Sequence, residues 1–464
     1  MEQQPPDTSA GTELDELVEA PTLIEAARVI VRGPSLNRTK TAGYDVKRGE
    51  KVLLVEKSTD DPAVTAALVQ AMGEVGALVD VFHVDVPDRP LEYVDEFRGL
   101  MRNVPGVERD ISFDLWQKKF KWLEDVAQKE GYSLLIQGEG GPLPQLDGVR
   151  YEGAPWYHRA TFPAAGFPWP VWDAINTVTW EPLWQKGRNA SVRVTDPEGT
   201  DLTFTLRPEH WEASHYEKTS SRRRFNEQYY LGHLYGYPTP PYDPMPNCSG
   251  VIAGTLNHYG RPFPHCRVFL EDGKVVRIEG GGEYGEKWRE IMEATQHIQY
   301  PEYPGPGLFW LWEVAIGTHP KMVRPPYAFT LAGHAAMFER LSSGYIHIGL
   351  GTAFGNPSED WAQSEGLTYG HVHIHLQLPT YVMTTTEGEE VTVIDRGNLT
   401  SLNDQRVVDV ASQYGDPASI LRKAWVPPVP GVTVEGDYWR DYAQRPDEWL
   451  VQHRGERGSD STRA

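Results

Sequence analysis

The first third of the chain alternates between a helical and a strand-like spacing of apolar residues. The segment "TLIEAARVIVRG" at 22–33 places apolar residues three and four positions apart, which predicts an amphipathic helix. The apolar run "KVLLVEK" at 51–57 predicts a buried strand, and a helix that begins at Asp61–Pro62 precedes a strand in "LVDVFHVDV". This order predicts a small parallel α/β domain, with "YSLLIQGEG" as one of its later strands.

After residue 188 the pattern changes to short strands and tight turns. "ASVRVTDPEGTDLTFTL" predicts a hairpin around Asp196–Gly199, and "HCRVFLEDGKVVRIEGG" predicts a second hairpin around Asp272–Gly273. "EKWREIMEATQHI" predicts a helix, and "FTLAGHAAMFERLSSGYIHIGLG" predicts a helix or loop that leads into a strand. "GHVHIHLQLPTYVM" predicts one further strand, and "DQRVVDVASQYG" and "PASILRKAW" are two weaker segments near the C-terminus.

Between these two regions, residues 140–188 are rich in Pro, Gly and Trp and predict a long ordered loop or an insertion. Five tryptophans fall between residues 156 and 184, and indole in such numbers lines a core, an interface or a pocket. The chain is thus expected to comprise a disordered tail (1–20), an N-terminal α/β domain with this insertion (21–188), a β-rich domain (189–415) and a C-terminal extension with a disordered end (416–464).

The composition excludes several classes of protein. The formal net charge of −21 argues against a nucleic acid or an anionic membrane as the main partner. No apolar run approaches the length that spans a bilayer, and the acidic, polar N-terminus is not typical of a signal peptide. The two cysteines, Cys248 and Cys266, form no CxxC pair, so we expect neither a disulfide framework nor a zinc ribbon, and we predict a reduced, cytoplasmic location.

The segment "GHVHIHLQL" carries three alternating histidines, His371, His373 and His375. Residues i and i+2 of a strand share a face, about 6.5–7 Å apart at Cα, so two imidazoles can converge on one metal ion. His347 in "SGYIHIGLG" can add a ligand from a neighbouring strand. Imidazole suits zinc, iron, copper and nickel, so the pattern does not choose the metal. The alternative is a solvated strand face that carries histidines without a metal.

Several segments, in this order, resemble the aminopeptidase T family of metallo-aminopeptidases and the related iron enzymes, the 2,5-dihydroxypyridine 5,6-dioxygenases. "VKRGEKVLLVEKSTDDPAVTAALVQAMGEVGALVDV" resembles the opening α/β segment, and "VRVTDPEGTDLTFTL" and "CRVFLEDGKVVRIEGG" are similar to two hairpins. "WEVAIGTHP", "FERLSSGYIHIGLG" and "VHIHLQL" resemble the metal-site region. The resemblance covers most of residues 21–415 and implies an α/β (α+β) fold, in which a small parallel α/β domain precedes a β-rich metal-binding domain.

The resemblance also implies roles for individual residues. Glu313 falls on the family glutamate, His347 on the first metal histidine, and His373 on the histidine of an H-x-D pair. Three carboxylate or phenol positions differ: the aspartate of that pair is His375, the tyrosine of the peptidases is Phe354, and their early bridging glutamate has no counterpart. Two adjacent cations need bridging carboxylates, so we expect one ion, held by His347, His373 and His375, with Glu313 near it or bound to it.

The resemblance implies a mononuclear non-haem metalloenzyme, an iron(II)-dependent dioxygenase that cleaves a hydroxylated aromatic or N-heteroaromatic ring with O2. Glu313 and His215 are the expected proton-handling residues, since a substrate phenol must lose its proton to chelate a metal. One alternative is a metallo-aminopeptidase or amide hydrolase with zinc or cobalt, because three histidines and a water also form a zinc hydrolase site. Another is a binding protein that kept only the scaffold. The relatives imply a homodimer.

Further polar residues are weaker candidates for the same site, since each has a structural interpretation. His319 can cap a turn, and Arg222–Arg224 can be a surface basic run instead of a carboxylate clamp. The remaining members of this group are His210, Glu212, His258 and His265.

Overall fold

Three β-sheets organise the part of the chain that the computed structural model describes. The described residues are 22–35, 43–58, 60–84, 101–102, 122–123, 125–138, 148–154, 159, 161–206, 229–230, 233–237, 248–257, 260–301, 303–322, 341–352, 357–453 and 456–459. One sheet has four parallel strands, and the others have eight and six strands with antiparallel pairings. The predicted mixed α/β content is confirmed, while the aminopeptidase T-like arrangement of domains stays a prediction.

The strands and helices are numbered in chain order. The strands are β1 (Lys51–Lys57), β2 (Leu78–Val84), β3 (Met101–Arg102), β4 (Leu134–Gly138), β5 (Arg150–Ala154), β6 (Ser191–Thr195), β7 (Asp201–Thr205), β8 (Tyr229–Tyr230), β9 (His233–Tyr237), β10 (Ser249–Leu256), β11 (Pro262–Glu271), β12 (Lys274–Gly280), β13 (Leu311–Gly317), β14 (Ile346–Gly351), β15 (Tyr369–Leu376), β16 (Thr380–Thr384), β17 (Glu390–Asp395) and β18 (Asn398–Leu399). The α-helices are α1 (Leu23–Arg32), α2 (Pro62–Val75), α3 (Trp169–Lys186), α4 (Gly282–Thr295), α5 (Pro357–Ser364), α6 (Gln405–Ala411), α7 (Pro417–Leu421) and α8 (Pro446–Gln452). Among the helices of the described ranges, none combines the length and the apolar character needed to cross a membrane.

The parallel sheet has the strand order β2-β1-β4-β5, and its predicted strands and helices are confirmed. α1 begins with a capping box, in which Thr22 and Glu25 exchange hydrogen bonds between side chain and backbone. α2 begins where Asp61 accepts a hydrogen bond from the Ala63 amide and Pro62 occupies the first turn. These local signals explain why the helix starts can be located from the sequence.

The expectation of a loop is wrong for residues 169–186, which form α3. Pro168 precedes this helix and Pro170 lies in its first turn, where the backbone amides have no intrahelical acceptor, so proline is tolerated there. The Trp172 indole donates a hydrogen bond to Thr318 Oγ1 at 3.1 Å, just beyond the end of β13. α3 is therefore hydrogen-bonded to the residue that follows β13, the strand that carries Glu313.

The single strand predicted over "GHVHIHLQLPTYVM" is also wrong, because the segment forms two strands in different sheets. β15 belongs to the six-stranded sheet, in the order β3-β15-β14-β13-β9-β8, and β16 belongs to the eight-stranded sheet, in the order β12-β11-β10-β7-β6-β16-β17-β18. Pro379 lies between them and has no amide hydrogen to continue a ladder. The two predicted hairpins are confirmed as β6–β7 and β11–β12.

One hydrophobic core runs from α1 and α2 through both antiparallel sheets. Every residue of β13 and of β14 is buried. Because these strands are covered on both faces, any polar side chain on them is held in a dry environment, where a charge is costly unless it has a partner.

A buried carboxylate in the turn of the hairpin β6–β7, Glu198, binds the C-terminal extension. Glu198 Oε1 accepts hydrogen bonds from the Tyr438 hydroxyl and from Thr255 Oγ1, both at 2.8 Å. Burial and the neighbouring Asp196 raise the pKa of Glu198 to about 8 from its ordinary value of 4.5. Ionisation of Glu198 is therefore unfavourable in the folded protein.

The Glu198→Gln variant is expected to resist alkaline pH better than the natural protein. The stabilisation from protonated Glu198 is complete below about pH 4.5 and is lost as the pH rises through about 8. We expect Glu198→Gln to raise the free energy of unfolding by ~1–3 kcal/mol at pH 9 and by little at pH 5. Asp201→Asn, an exposed acid of the same hairpin that pairs with Arg193, is the control and should show no such change between pH 5 and 9. Urea denaturation at both pH values measures the free energy of unfolding. If this free energy falls equally between pH 5 and pH 9 in Glu198→Gln and in the natural protein, the prediction is contradicted.

Candidate metal centre

Three adjacent strands, β13, β14 and β15, place four polar side chains on one face of the six-stranded sheet. In the antiparallel registers, Glu313 lies opposite Gly349, and Gly349 lies opposite His373. His347 lies opposite His375 in the next same-face row. Residues in these positions share a face, so Glu313, His347, His373 and His375 all point to the same side.

Glu313, His347 and His373 form a compact buried group. Glu313 Oε2 lies 3.1 Å from His347 Nε2 and 3.7 Å from His373 Nε2. One potential ligand atom from each residue lies within 4.8 Å of the other two. Among the residues that the structure describes, this is the group of three or more His, Cys, Asp or Glu side chains whose ligand atoms lie this close together. The group can hold a metal ion.

The distances between donor atoms fit a single divalent cation. Donor–metal distances of about 2.0–2.2 Å, at angles of about 90–120°, separate two donors by about 2.8–3.8 Å. Both distances from Glu313 fall in this range. Burial and the neighbouring His347 lower the pKa of His373 well below its ordinary value, so this imidazole is neutral at neutral pH. The neutral form is the one that binds metals, and one carboxylate with two imidazoles suits a transition metal.

His375 lies beside this group. Its Nε2 is 2.7 Å from His347 Nδ1, which is the ring nitrogen of His347 that does not face Glu313. The predicted ligand set and the group in the structure therefore share His347 and His373 and differ in the third member, which is His375 in the prediction and Glu313 in the structure.

His371 marks the more open end of the histidine row. It is half-buried, while His373 and His375 are buried. Its Nδ1 lies 2.9 Å from the Thr352 carbonyl oxygen, and its ring meets the ring of His373 edge to face, with centroids 4.6 Å apart. His371 is therefore a neighbour of the group and is fixed by a backbone contact.

Two residues that shape the group, Trp312 and Gly349, are absent from the sequence-based predictions. The register between β13 and β14 shifts between Leu311 and Glu313, so Trp312 sits in a bulge and its ring meets His371 at 5.3 Å and edge to face. A Cβ at Gly349 would lie 3.0 Å from His373 Nε2 and 2.8 Å from Trp312 Nε1. Glycine at this position leaves the space that the His373 ring needs. The bulge has no clear sequence signal, whereas "HIGLG" does place a glycine two residues after the predicted ligand His347.

The other candidate residues divide into two sets. The His319 ring contacts the rings of Phe167 and Trp172, with centroids 4.9 and 4.5 Å away, and burial lowers the pKa of His319 to about 3. His265 Nε2 lies 2.7 Å from the backbone oxygen of Glu198. Both therefore have structural contacts outside the Glu313 group. The set that lies outside the described residues is His210, Glu212, His215, Arg222–Arg224, His258 and Phe354.

No protein-family model matches the chain, and no curated protein matches it in sequence. Among solved structures, the fold is similar to a 2,5-dihydroxypyridine dioxygenase from Pseudomonas putida, with a TM-score of 0.44 and 11% identity, over 82% of this chain and 96% of that chain. A similarity this low carries no argument about the activity or the ligands. The resemblance to the aminopeptidase T family therefore stays a prediction.

Proposed function

We propose that this protein is a mononuclear non-haem metalloenzyme in which Glu313, His347 and His373 hold one divalent cation. The observation that carries the proposal is the buried Glu–His–His group on one sheet face, with donor atoms at separations that suit one ion. The Glu313 carboxylate supplies one negative charge in a buried position, and a divalent cation would offset the cost of that burial. This donor set leaves coordination positions for substrate.

We propose iron(II)-dependent ring-cleaving dioxygenation as the reaction, with a hydroxylated aromatic or N-heteroaromatic ring and O2 as substrates. Two histidines and one carboxylate are the facial ligand set of non-haem iron(II) oxygenases, and iron supplies oxygen activation there. Within the chain, Glu313 and the two imidazoles place one potential ligand atom each within 4.8 Å of the others, and the buried Trp312 ring supplies an apolar wall beside His371. His215 remains the proposed proton acceptor for the substrate hydroxyl.

A metallo-hydrolase is the second candidate, and the same donor set favours it. Two histidines and one glutamate also hold zinc in hydrolases, where the cation lowers the pKa of a bound water to about 7. In that case the substrate would be a peptide or an amide. The two candidates therefore differ in the metal and in the need for O2.

Metal analysis of the full chain, purified without oxygen, tests the proposal. About one iron per chain, with O2 uptake in the presence of a dihydroxylated ring, is the expected result. One zinc or cobalt per chain, with amide hydrolysis that is independent of O2, would favour the hydrolase. Absence of stoichiometric metal after reconstitution with each of the three ions would contradict both candidates.

We also propose a homodimer located in the cytoplasm, with a small aromatic molecule as the main partner. The resemblance of the sequence to the aminopeptidase T family and the related dioxygenases supports the dimer. The net charge of −21 argues against a nucleic acid or an anionic membrane as the main partner. Sedimentation of the purified chain tests the oligomeric state.

A further inference from the structure

We propose that His375 is a positioning residue, which holds the His347 ring in the orientation and tautomer that a metal ligand needs. The inference rests on the proposed function, because it concerns the same metal centre. It differs from the sequence-based prediction, in which His375 is itself a ligand.

The two nitrogens of His347 face different partners. Its Nε2 lies 3.1 Å from Glu313 Oε2, on the side of the Glu–His–His group, and its Nδ1 lies 2.7 Å from His375 Nε2. The two nitrogens of an imidazole point away from each other, so an ion bound to His347 Nε2 lies on the opposite side of the ring from His375 Nε2. One ion cannot be shared by those two atoms.

Metal binding fixes the direction of the hydrogen bond between the histidines. When Nε2 of His347 binds a cation, the proton of the neutral ring must sit on Nδ1. Nδ1–H then donates to His375 Nε2, which accepts. Metal-bound histidines usually donate their other ring N–H to such a partner, and loss of the partner costs about 10–100-fold in metal affinity.

The fold places the two histidines of this pair against each other in the protein interior. His347 and His375 are directly opposite each other on the adjacent strands β14 and β15. Their exposed fractions are 1% and 0%, so bulk water does not compete for the hydrogen bond. The ring centroids are 4.7 Å apart, with a tilt of 52°. His375 therefore acts on the proposed metal ion through its hydrogen bond to His347.

Two variants of the full chain separate a positioning residue from a ligand. The amide of His375→Gln can accept a hydrogen bond from a position close to that of Nε2, whereas His375→Leu fills the space and accepts none. Cobalt(II) serves as the probe, with affinity measured by competition with a chelator and the ligand set read from the visible spectrum. We expect one cobalt per chain with the spectrum of the natural protein in both variants. The affinity should fall about 10–100-fold in His375→Leu and should be largely restored in His375→Gln.

The outcomes distinguish this inference from the proposed function. Loss of stoichiometric cobalt, or a spectrum with one fewer nitrogen ligand, in a folded His375→Gln would make His375 a ligand and overturn the inference alone. Unchanged affinity in a folded His375→Leu would also overturn it. If the natural protein binds no metal, the proposed function fails, and histidine ¹⁵N NMR of the metal-free chain tests the hydrogen bond between His347 and His375. A His347 Nδ1 resonance that shifts in His375→Leu and is restored in His375→Gln supports this hydrogen bond. A resonance that does not shift in His375→Leu rejects it.

Discussion

Replacement of His373 by alanine is expected to abolish stoichiometric binding of a divalent cation. His373 Nε2 is one of the three donor atoms of the buried group, 3.7 Å from Glu313 Oε2. Burial lowers the pKa of His373, so its imidazole is neutral and a ring nitrogen has a lone pair to bind a metal ion. Loss of a residue that only hydrogen-bonds a metal ligand weakens metal binding by about 10–100-fold. Removal of a direct ligand should therefore weaken metal binding by more than about 100-fold. Metal content after gel filtration and a chelator competition measure this change.

His371→Ala is the matched control for this prediction, since it makes the same change two residues away on the same strand. His371 is half-buried and contacts the Thr352 carbonyl, so its loss should weaken binding by less than about 10-fold. Thermal unfolding of both variants shows whether the strand is still folded. Equal losses of metal in the two variants, or full metal content in His373→Ala, would remove His373 from the ligand set.

Gly349→Ala is expected to disrupt the site without removing any ligand. The added Cβ would lie 3.0 Å from His373 Nε2 and 2.8 Å from Trp312 Nε1, closer than ordinary contacts allow. Both rings are buried in the core, so they have little room to move. We expect a loss of ~1–3 kcal/mol in the free energy of unfolding, as for other overpacked cores, together with weaker metal binding because the His373 ring is displaced.

Gly73→Ala is the control for that substitution. Gly73 lies in α2, and a Cβ there would meet no atom within 4 Å. Alanine in an open helical position should stabilise the protein slightly, by about 0.4–1 kcal/mol. Denaturant unfolding and cobalt titration of both variants test the pair. Cobalt affinity in Gly349→Ala equal to that in Gly73→Ala would show that the His373 ring does not depend on this glycine.

Helices and strands with strong local signals were predictable, and the segments without them were not. The cap at Asp61–Pro62 and the turn at Asp272–Gly273 depend on a few neighbouring residues, and both are confirmed. The two errors involve proline. In α3, Pro168 and Pro170 begin a helix rather than break one, and Pro379 separates β15 from β16. Proline is compatible both with the first turn of a helix and with the end of a strand, so its presence alone does not tell the two apart.

The candidate site shows the same division. The alternation of His371, His373 and His375 determines that these side chains share a strand face, because the side-chain period of a strand is two. The pattern does not determine which nitrogen faces which partner. That depends on the register of β13, β14 and β15, which brings together residues distant in sequence.

The sequence by itself therefore determined the strand periodicity that aligns His371, His373 and His375, and it offered His347 and Glu313 as candidates to join them. Only the tertiary structure decided that Glu313 joins His347 and His373, that His375 contacts the other ring nitrogen of His347, and that Gly349 leaves the space for the His373 ring. The physical reason is that periodicity is a local property of the backbone, whereas contacts across a sheet depend on strand pairing. A shift of one residue in pairing would turn these side chains to the other face and remove the site.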